Sequence, residues 1–432
     1  MNDQKAFRGE ILHFIDDPAT TKLEQCYEYY ADGLLVIDAN GLIQKVGEYQ
    51  TLVNDLQSNT DVIHYKNGLI TPGFVDTHIH YPQTEMVASY GEQLLEWLNN
   101  YTFPTEQKFS DAEYATTITD FFLDQLLQNG TTTALVFGTV HPSSVDAFFS
   151  TAQAKNLRMI CGKVMMDRNA PDELLDTAES AYQDSKRLIE KWHGVDRLQY
   201  AVTPRFAPTS SPDQLQAAGK LMREFDDVYL HTHLSENTDE VAWVKSLFPE
   251  SENYLGVYDE YNLLSRRSVF AHGIHLCPEE CQRLGESQSS IAFCPTSNLF
   301  LGSGLFDLKQ AEKFDINIGL GTDIGAGTSF SMLQTMNEAY KTQQLRGDKL
   351  NAFKSFYLAT LGGARALDLE HKIGNFLVGN EADFVFLDYS ATPLLKLRMQ
   401  HCNTLEEKLF VLSMLGDDRT VGATHILGKR VK

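Results

Sequence analysis

Basic residues are scarce in this chain of 432 residues: 36 Lys and Arg stand against 58 Asp and Glu, a formal net charge of -22. Binding a nucleic acid requires clustered Lys and Arg to neutralise phosphates, so that function class is excluded. Long apolar runs are absent too. No stretch approaches the roughly 18 residues that a membrane helix needs, and the opening residues, Met1 to Glu10, lack the apolar core of a secretory leader. Cysteine is sparse: six residues (26, 161, 277, 281, 294 and 402) are scattered, with no disulfide framework. Cys277 and Cys281 stand four apart but no second pair answers them. Repeats and low-complexity tracts are missing. These absences predict a soluble, cytoplasmic protein.

What is present is an ordered alternation. Gly33–Val36 and Leu42–Val46 are short apolar runs split by Asn40-Gly41, a strong hairpin signal. Strand-like runs then follow at Gly68–Asp76, Thr132–Phe137, Met159–Met165, Leu198–Val202, Val228–Leu230, Val269–Phe270, Ile291–Phe293 and Ile316–Leu320. Helical patterns lie between them, among them Asp111–Gln128 with Ser110 as N-cap, and Asp172–Lys191. Strands separated by helices predict an α/β fold of the (β/α)8 TIM-like barrel type. The tail returns to short strands, Ala382–Leu387 and Thr424–Val431. The division expected is a barrel over residues 70–372 and one small β-sandwich-like domain built from residues 1–69 and 373–432.

In such a barrel the chemistry sits where strands end. The first strand runs into His78 and His80, two residues apart and therefore on one face. The fifth ends in His231-Thr232-His233-Leu234-Ser235-Glu236, the sixth in Ala271-His272, the eighth in Gly321-Thr322-Asp323. Histidines and a carboxylate converging from several strands suit a divalent ion of zinc type. Of the two histidines on the fifth strand, one is expected to face the barrel and the other away. His233, nearer the strand end, is given the metal and His231 a packing role. Glu236 can reach water at the ion as a general acid/base, or be a helix first-turn carboxylate. Arg205-Phe206, ending the fourth strand, can hold a flat ring by hydrogen bonding and stacking, or form an ordinary ion pair at the barrel mouth. Gln83 offers both donor and acceptor. The aromatic segment Tyr90–Pro104 is either a wall over the pocket or a packed interface.

Together Pro72–His80, His233 with Glu236, Ala271-His272, Phe293–Asn298 and Gly321–Asp323 resemble the amidohydrolase superfamily. Tyr81-Pro82-Gln83, Glu96-Trp97-Leu98, Pro204-Arg205-Phe206 and Gly321–Gly327 are similar, more narrowly, to its guanine deaminase family, and the likeness runs along essentially the whole chain. It implies hydrolytic deamination of guanine to xanthine and ammonia by a metal-activated hydroxide attacking C2. It implies one zinc ion per subunit on His78, His80, His233 and Asp323, Fe2+ being the lesser candidate. The fourth strand offers Thr203, Pro204 and Arg205 but no Lys, whereas two-metal relatives carry a carboxylated lysine there, which is why a single ion is implied. The resemblance makes Glu236 the proton shuttle and Asp323 the acceptor of the water proton. His272 becomes the group that steadies the hydroxide. Gln83 and Arg205 read the ring edge, and Phe206 packs on it. Arg205, donating to O6, is expected to disfavour a purine lacking that oxygen by roughly 10⁴–10⁵-fold. A homodimer is implied as well. The rivals are a deaminase or chlorohydrolase for another amino-heterocycle and a non-catalytic scaffold, the latter opposed by the intact ligand set.

Overall fold

The computed structural model describes residues 4–91 and 93–432. Met1–Asp3, in the stretch read for a leader, and Glu92, within the aromatic Tyr90–Pro104 segment, lie outside the described residues. The chain opens with β1 (Lys5–Phe14), β2 (Tyr27–Ile37), β3 (Ile43–Glu48) and β4 (Asp61–Pro72). β2 and β3 pair antiparallel about Asn40-Gly41. Gly41 takes φ +81°, and a Cβ there would lie 2.4 Å from that of Leu427. Only glycine closes this turn against the C-terminal strands.

The barrel follows as β5 (Phe74–His80), β6 (Thr131–Phe137), β7 (Arg158–Gly162), its short continuation β8 (Val164–Met165), β9 (Leu198–Pro204), β10 (Tyr229–Leu234), β11 (Ser268–His272), β12 (Ser290–Phe293) and β13 (Asn317–Leu320). Neighbours pair parallel in the order β5-β6-β7-β9-β10-β11-β12-β13, with β8 on β9. Strands buried on both faces read as continuous apolar or β-branched runs, as Thr131–Phe137 does along its whole length. Hydrogen bonds between the two end strands bring the barrel nearly to closure: Thr77 Oγ1 donates to Leu320 O at 3.0 Å, and Asp323 N to His78 O at 3.0 Å.

β14 (Phe384–Asp388), β15 (Val421–Ile426) and β16 (Lys429–Arg430) complete the chain. They join the N-terminal strands in one mixed sheet of order β16-β15-β14-β4-β1-β2-β3, so both ends of the sequence meet through β14 on β4. The run Gly68–Asp76, expected as a single strand, is divided here. Its first half belongs to β4 in the terminal sheet and its second to β5 in the barrel. Gly73 is the break: its N–H donates to Asp383 O at 3.0 Å, and a Cβ would stand 2.1 Å from Thr132 Oγ1. The terminal sheet is bound to the barrel floor by charge as well. Glu381 accepts from Arg158 Nε and Arg197 Nη2, each at 2.8 Å.

Two helix starts also move. Asp111, not Ser110, caps Ala112–Gln128, because its carboxylate accepts from Glu113 N at 2.9 Å and Tyr114 N at 3.3 Å. The run from Asp172 begins with a single 3₁₀ turn, and the helix proper, Ala178–Trp192, starts at a Thr177–Ser180 capping box. Over the barrel mouth lies a chain of short helical turns, Leu94–Trp97, Leu98–Thr102, Phe103–Glu106 and Gln107–Ser110. Among the described residues no helix is long and apolar enough to cross a membrane.

Candidate active site

The C-terminal ends of β5, β9, β10, β11 and the loop after β13 meet at one buried point. His78 and His80 project from the same face of β5, with Nε2 atoms 3.2 Å apart. His233 Nε2 lies 3.3 Å from His80 Nε2. Asp323 Oδ1 stands 3.1 Å from His78 Nε2 and 3.3 Å from His80 Nε2. Bonds of about 2.0–2.1 Å from a tetrahedral ion place its ligand atoms about 3.3–3.4 Å apart. The observed spacings match that edge length, so these side chains can hold a metal ion.

The protonation of the cage agrees. Burial pushes His80 down to about 3, and His78 and His233 also fall below the ordinary imidazole range for the same reason. Neutral imidazoles with free lone pairs are what a cation requires. His233 Nδ1–H donates to the Arg205 carbonyl at 2.7 Å, which turns the Nε2 lone pair toward the cage. Burial opposes ionisation of Asp323, but His78 and His80 outweigh it and hold that carboxyl well below its usual range.

His231 departs from expectation. Residues two apart on a strand share a face, so it points inward with His233, one layer deeper. Its Nε2 lies 2.7 Å from His78 Nδ1. It holds the His78 ring from behind, which is more than packing. Asp76 does comparable work on the backbone, accepting from His78 N at 3.2 Å and Thr322 N at 3.1 Å. It thereby fixes the two ligand-bearing segments to each other.

Glu236 follows β10 and is buried. Burial first, then the Asp323 carboxylate, pushes its carboxyl well above the usual range, so it can carry a proton. Ser303 Oγ donates to its Oε1 at 3.4 Å. Its backbone N–H is held by Glu240 Oε2 at 2.8 Å. His272 ends β11 at φ +74°. Its Nδ1 meets Asn298 Oδ1 at 2.9 Å, and its Nε2 faces Glu236 Oε2 at 3.4 Å and Asp323 Oδ2 at 3.8 Å.

Beside the cage opens a pocket of about 420 Å³ including its mouth. Gln83, Arg205, Phe206, Glu236 and His272 line it, and Leu94, Trp97, Leu98 and Thr102 close it from above. The Tyr90–Pro104 segment is therefore a wall. All nine side chains expected at the site meet here. Glu106 was not foreseen: its buried carboxylate accepts from Arg205 Nη1 at 2.8 and 3.1 Å and from Gln83 Nε2 at 3.3 Å. Arg205 thus lines the pocket and forms an ion pair at once. Nothing periodic marks Glu106 in the sequence, whereas Asn298 stands in a motif that carried no assigned role.

The cage, the strand ends that bear it and the nearly closed parallel barrel define a metal-dependent hydrolase, and the chain belongs to the amidohydrolase family, whose model matches residues 69–431. A guanine deaminase of Escherichia coli is 56% identical over 430 residues, covering 99% of this chain and 97% of that protein. The solved E. coli guanine deaminase superposes with a TM-score of 0.95 at 55% identity, covering 99% of both chains. A guanine deaminase from C. acetobutylicum, solved with guanine bound in its active site, gives a TM-score of 0.89 at 30% identity with both chains covered in full.

Proposed function

We propose that this protein is a guanine deaminase, converting guanine and water to xanthine and ammonia. The observation that carries the reading is one pocket that joins a four-ligand cage to Glu236 on one side and to the Gln83–Arg205 edge on the other. His78, His80, His233 and Asp323 would hold one zinc ion. Once bound, such an ion makes water a nucleophile near neutral pH.

The chain's own groups handle the remainder. Arg205 and Gln83 hold the purine by its edge, with Phe206 against its face, so that C2 is presented to the cage. The water oxygen bonds to C2, and Asp323 takes the proton given up. Glu236 donates a proton to the ring nitrogen beside C2. His272, between the two carboxylates, steadies charge at the tetrahedral carbon. Collapse breaks the C2–N bond: the proton held by Asp323 passes through Glu236 to the amine, which leaves as ammonia, and the C2 hydroxyl proton restores Glu236 as the carbonyl forms.

The finer assignments rest on narrower support. Zinc is supported by the nitrogen–oxygen donor set and its spacing. A cytoplasmic location is supported by six free cysteines, and a homodimer by family resemblance alone. The purified protein, given guanine, adenine, cytosine and aminotriazines separately, should release ammonia fastest from guanine. Preferred turnover of another ring would overturn the substrate assignment.

A further inference from the structure

Glu106 touches neither the cage nor the pocket surface, yet it contacts both residues that would read the base. A carboxylate only accepts hydrogen bonds, and a backbone N–H only donates. Glu106 Oε1 on one side of Gln83 and Gly325 N–H on the other, each at 3.3 Å, therefore fix the sense of the Gln83 amide. Its NH2 turns to Glu106 and its Oε1 to Gly325. The same carboxylate takes Arg205 through Nη1, leaving Nε and Nη2 as the guanidinium donors not committed to it. Arg205 and Glu106 are only 2% and 1% exposed, and the Arg205 guanidinium also sits 5.6 Å from the Phe103 ring centroid. A fully buried guanidinium without this partner would give the base edge a net positive charge.

We propose that Glu106 is a positioning residue that keeps the base-reading edge electrically neutral, so the pocket accepts a neutral oxopurine and disfavours the anion of its more acidic product. The proposal rests on the guanine reading and deepens it. Replacing the C2 amine by a carbonyl creates N–H groups flanked by carbonyls, which makes xanthine a stronger acid than guanine. Near neutral pH part of the product is then an anion. An edge carrying Arg205 alone would retain that anion, whereas the Arg205–Glu106 pair does not. His80, His233, His272, Glu236 and Asp323 face the same pocket, and Tyr81 is another titratable group that senses Glu106. None of these changes in the variants below, so the comparison isolates the edge.

The test is xanthine inhibition of guanine turnover from slightly acid to moderately alkaline pH, the range over which the product ionises. The proteins compared are wild type, Glu106→Gln, Glu106→Asp and Arg205→Gln, with metal content measured for each. In the wild type inhibition should weaken as pH rises. In Glu106→Gln it should strengthen instead, with the ratio of inhibition constants across the range shifting by about tenfold or more, as befits a close buried charge pair. The KM for guanine should rise more than kcat falls, because the edge binds the ring and performs no chemistry. Glu106→Asp should restore the wild-type direction. Arg205→Gln, which leaves the carboxylate alone, should weaken inhibition more steeply still, and it decides the matter if Glu106→Gln does not fold. Folded variants that keep the wild-type pH dependence, or a Glu106→Gln loss confined to kcat, would overturn the proposal. A wild type that leaves guanine unchanged would instead refute the substrate reading beneath it.

Discussion

Removing the purine O6 while keeping the C2 amine, as 2-aminopurine does, probes how the base edge earns its selectivity. From the residues alone, Arg205 would be left as a stranded buried charge, and the penalty would reach roughly 10⁴–10⁵-fold. The structure lowers that figure. Glu106 lies 2.8 Å from Arg205 Nη1, so the guanidinium keeps a charged partner whatever the ligand. What 2-aminopurine forfeits is a hydrogen bond to a charged group, about 1.5–3 kcal/mol. At 1.36 kcal/mol per tenfold, kcat/KM should fall by about 10–150-fold relative to guanine. The assay is ammonia release from each purine at concentrations well below KM, with Arg205→Gln measured alongside. That variant should turn over the two purines at nearly equal kcat/KM. Equal turnover by the wild type would refute the O6 contact. A loss beyond about 10⁴-fold would show a stranded charge and refute the buffering by Glu106.

Glu236→Gln keeps size and polarity but cannot pass a proton, so kcat should fall about 10²–10⁴-fold with metal content unchanged. Loss of the metal in that variant, seen by elemental analysis, would make Glu236 a ligand instead. His78→Ala should empty the cage. His231→Ala, which removes only the group behind the His78 ring, should weaken metal affinity by about 10–100-fold in a chelator competition. Full metal retention under competition by the His231 variant would return that residue to plain packing. Acid stability should report Glu381: burial raises its carboxyl, but Arg158 and Arg197 outweigh it and hold it below the ordinary 4.5. A depressed folded-state value contributes stability above pH 4.5, and that contribution is lost as pH falls through the folded-state value. Glu381→Gln should cost about 3–5 kcal/mol near neutrality. Denaturation curves of variant and wild type should converge below pH 4.5, and a gap that stays constant would contradict the assignment.

The cage was legible because each ligand sits at a strand end, where position along the chain fixes position in space. His78 and His80 share a face by strand geometry alone, and Asp323 enters on a Gly-Thr-Asp turn at the end of the last barrel strand. The same geometry makes His231 an inward neighbour of His233, a consequence the sequence reading overlooked. Glu106 was out of reach for a different reason. It arrives on the irregular Leu94–Ser110 cover, and its partner Arg205 lies 99 residues away in sequence. No periodicity relates a loop carboxylate to a strand-end guanidinium. The division of Gly68–Asp76 at Gly73 was legible in principle, since Pro72-Gly73 is a turn dipeptide inside the run, but the reading of one continuous strand passed over it. The steric demand at Gly73 comes from Thr132, whose own position only the folded barrel defines.

The central claim joins one metal per chain to guanine hydrolysis. Its most direct test is a zinc titration of metal-stripped protein in the presence of guanine, with xanthine and ammonia quantified at each addition. The account predicts that activity rises linearly and levels off at one equivalent of zinc per chain, with xanthine and ammonia formed in equal amounts. A plateau only at two equivalents, or zinc uptake with no xanthine formed, would contradict it.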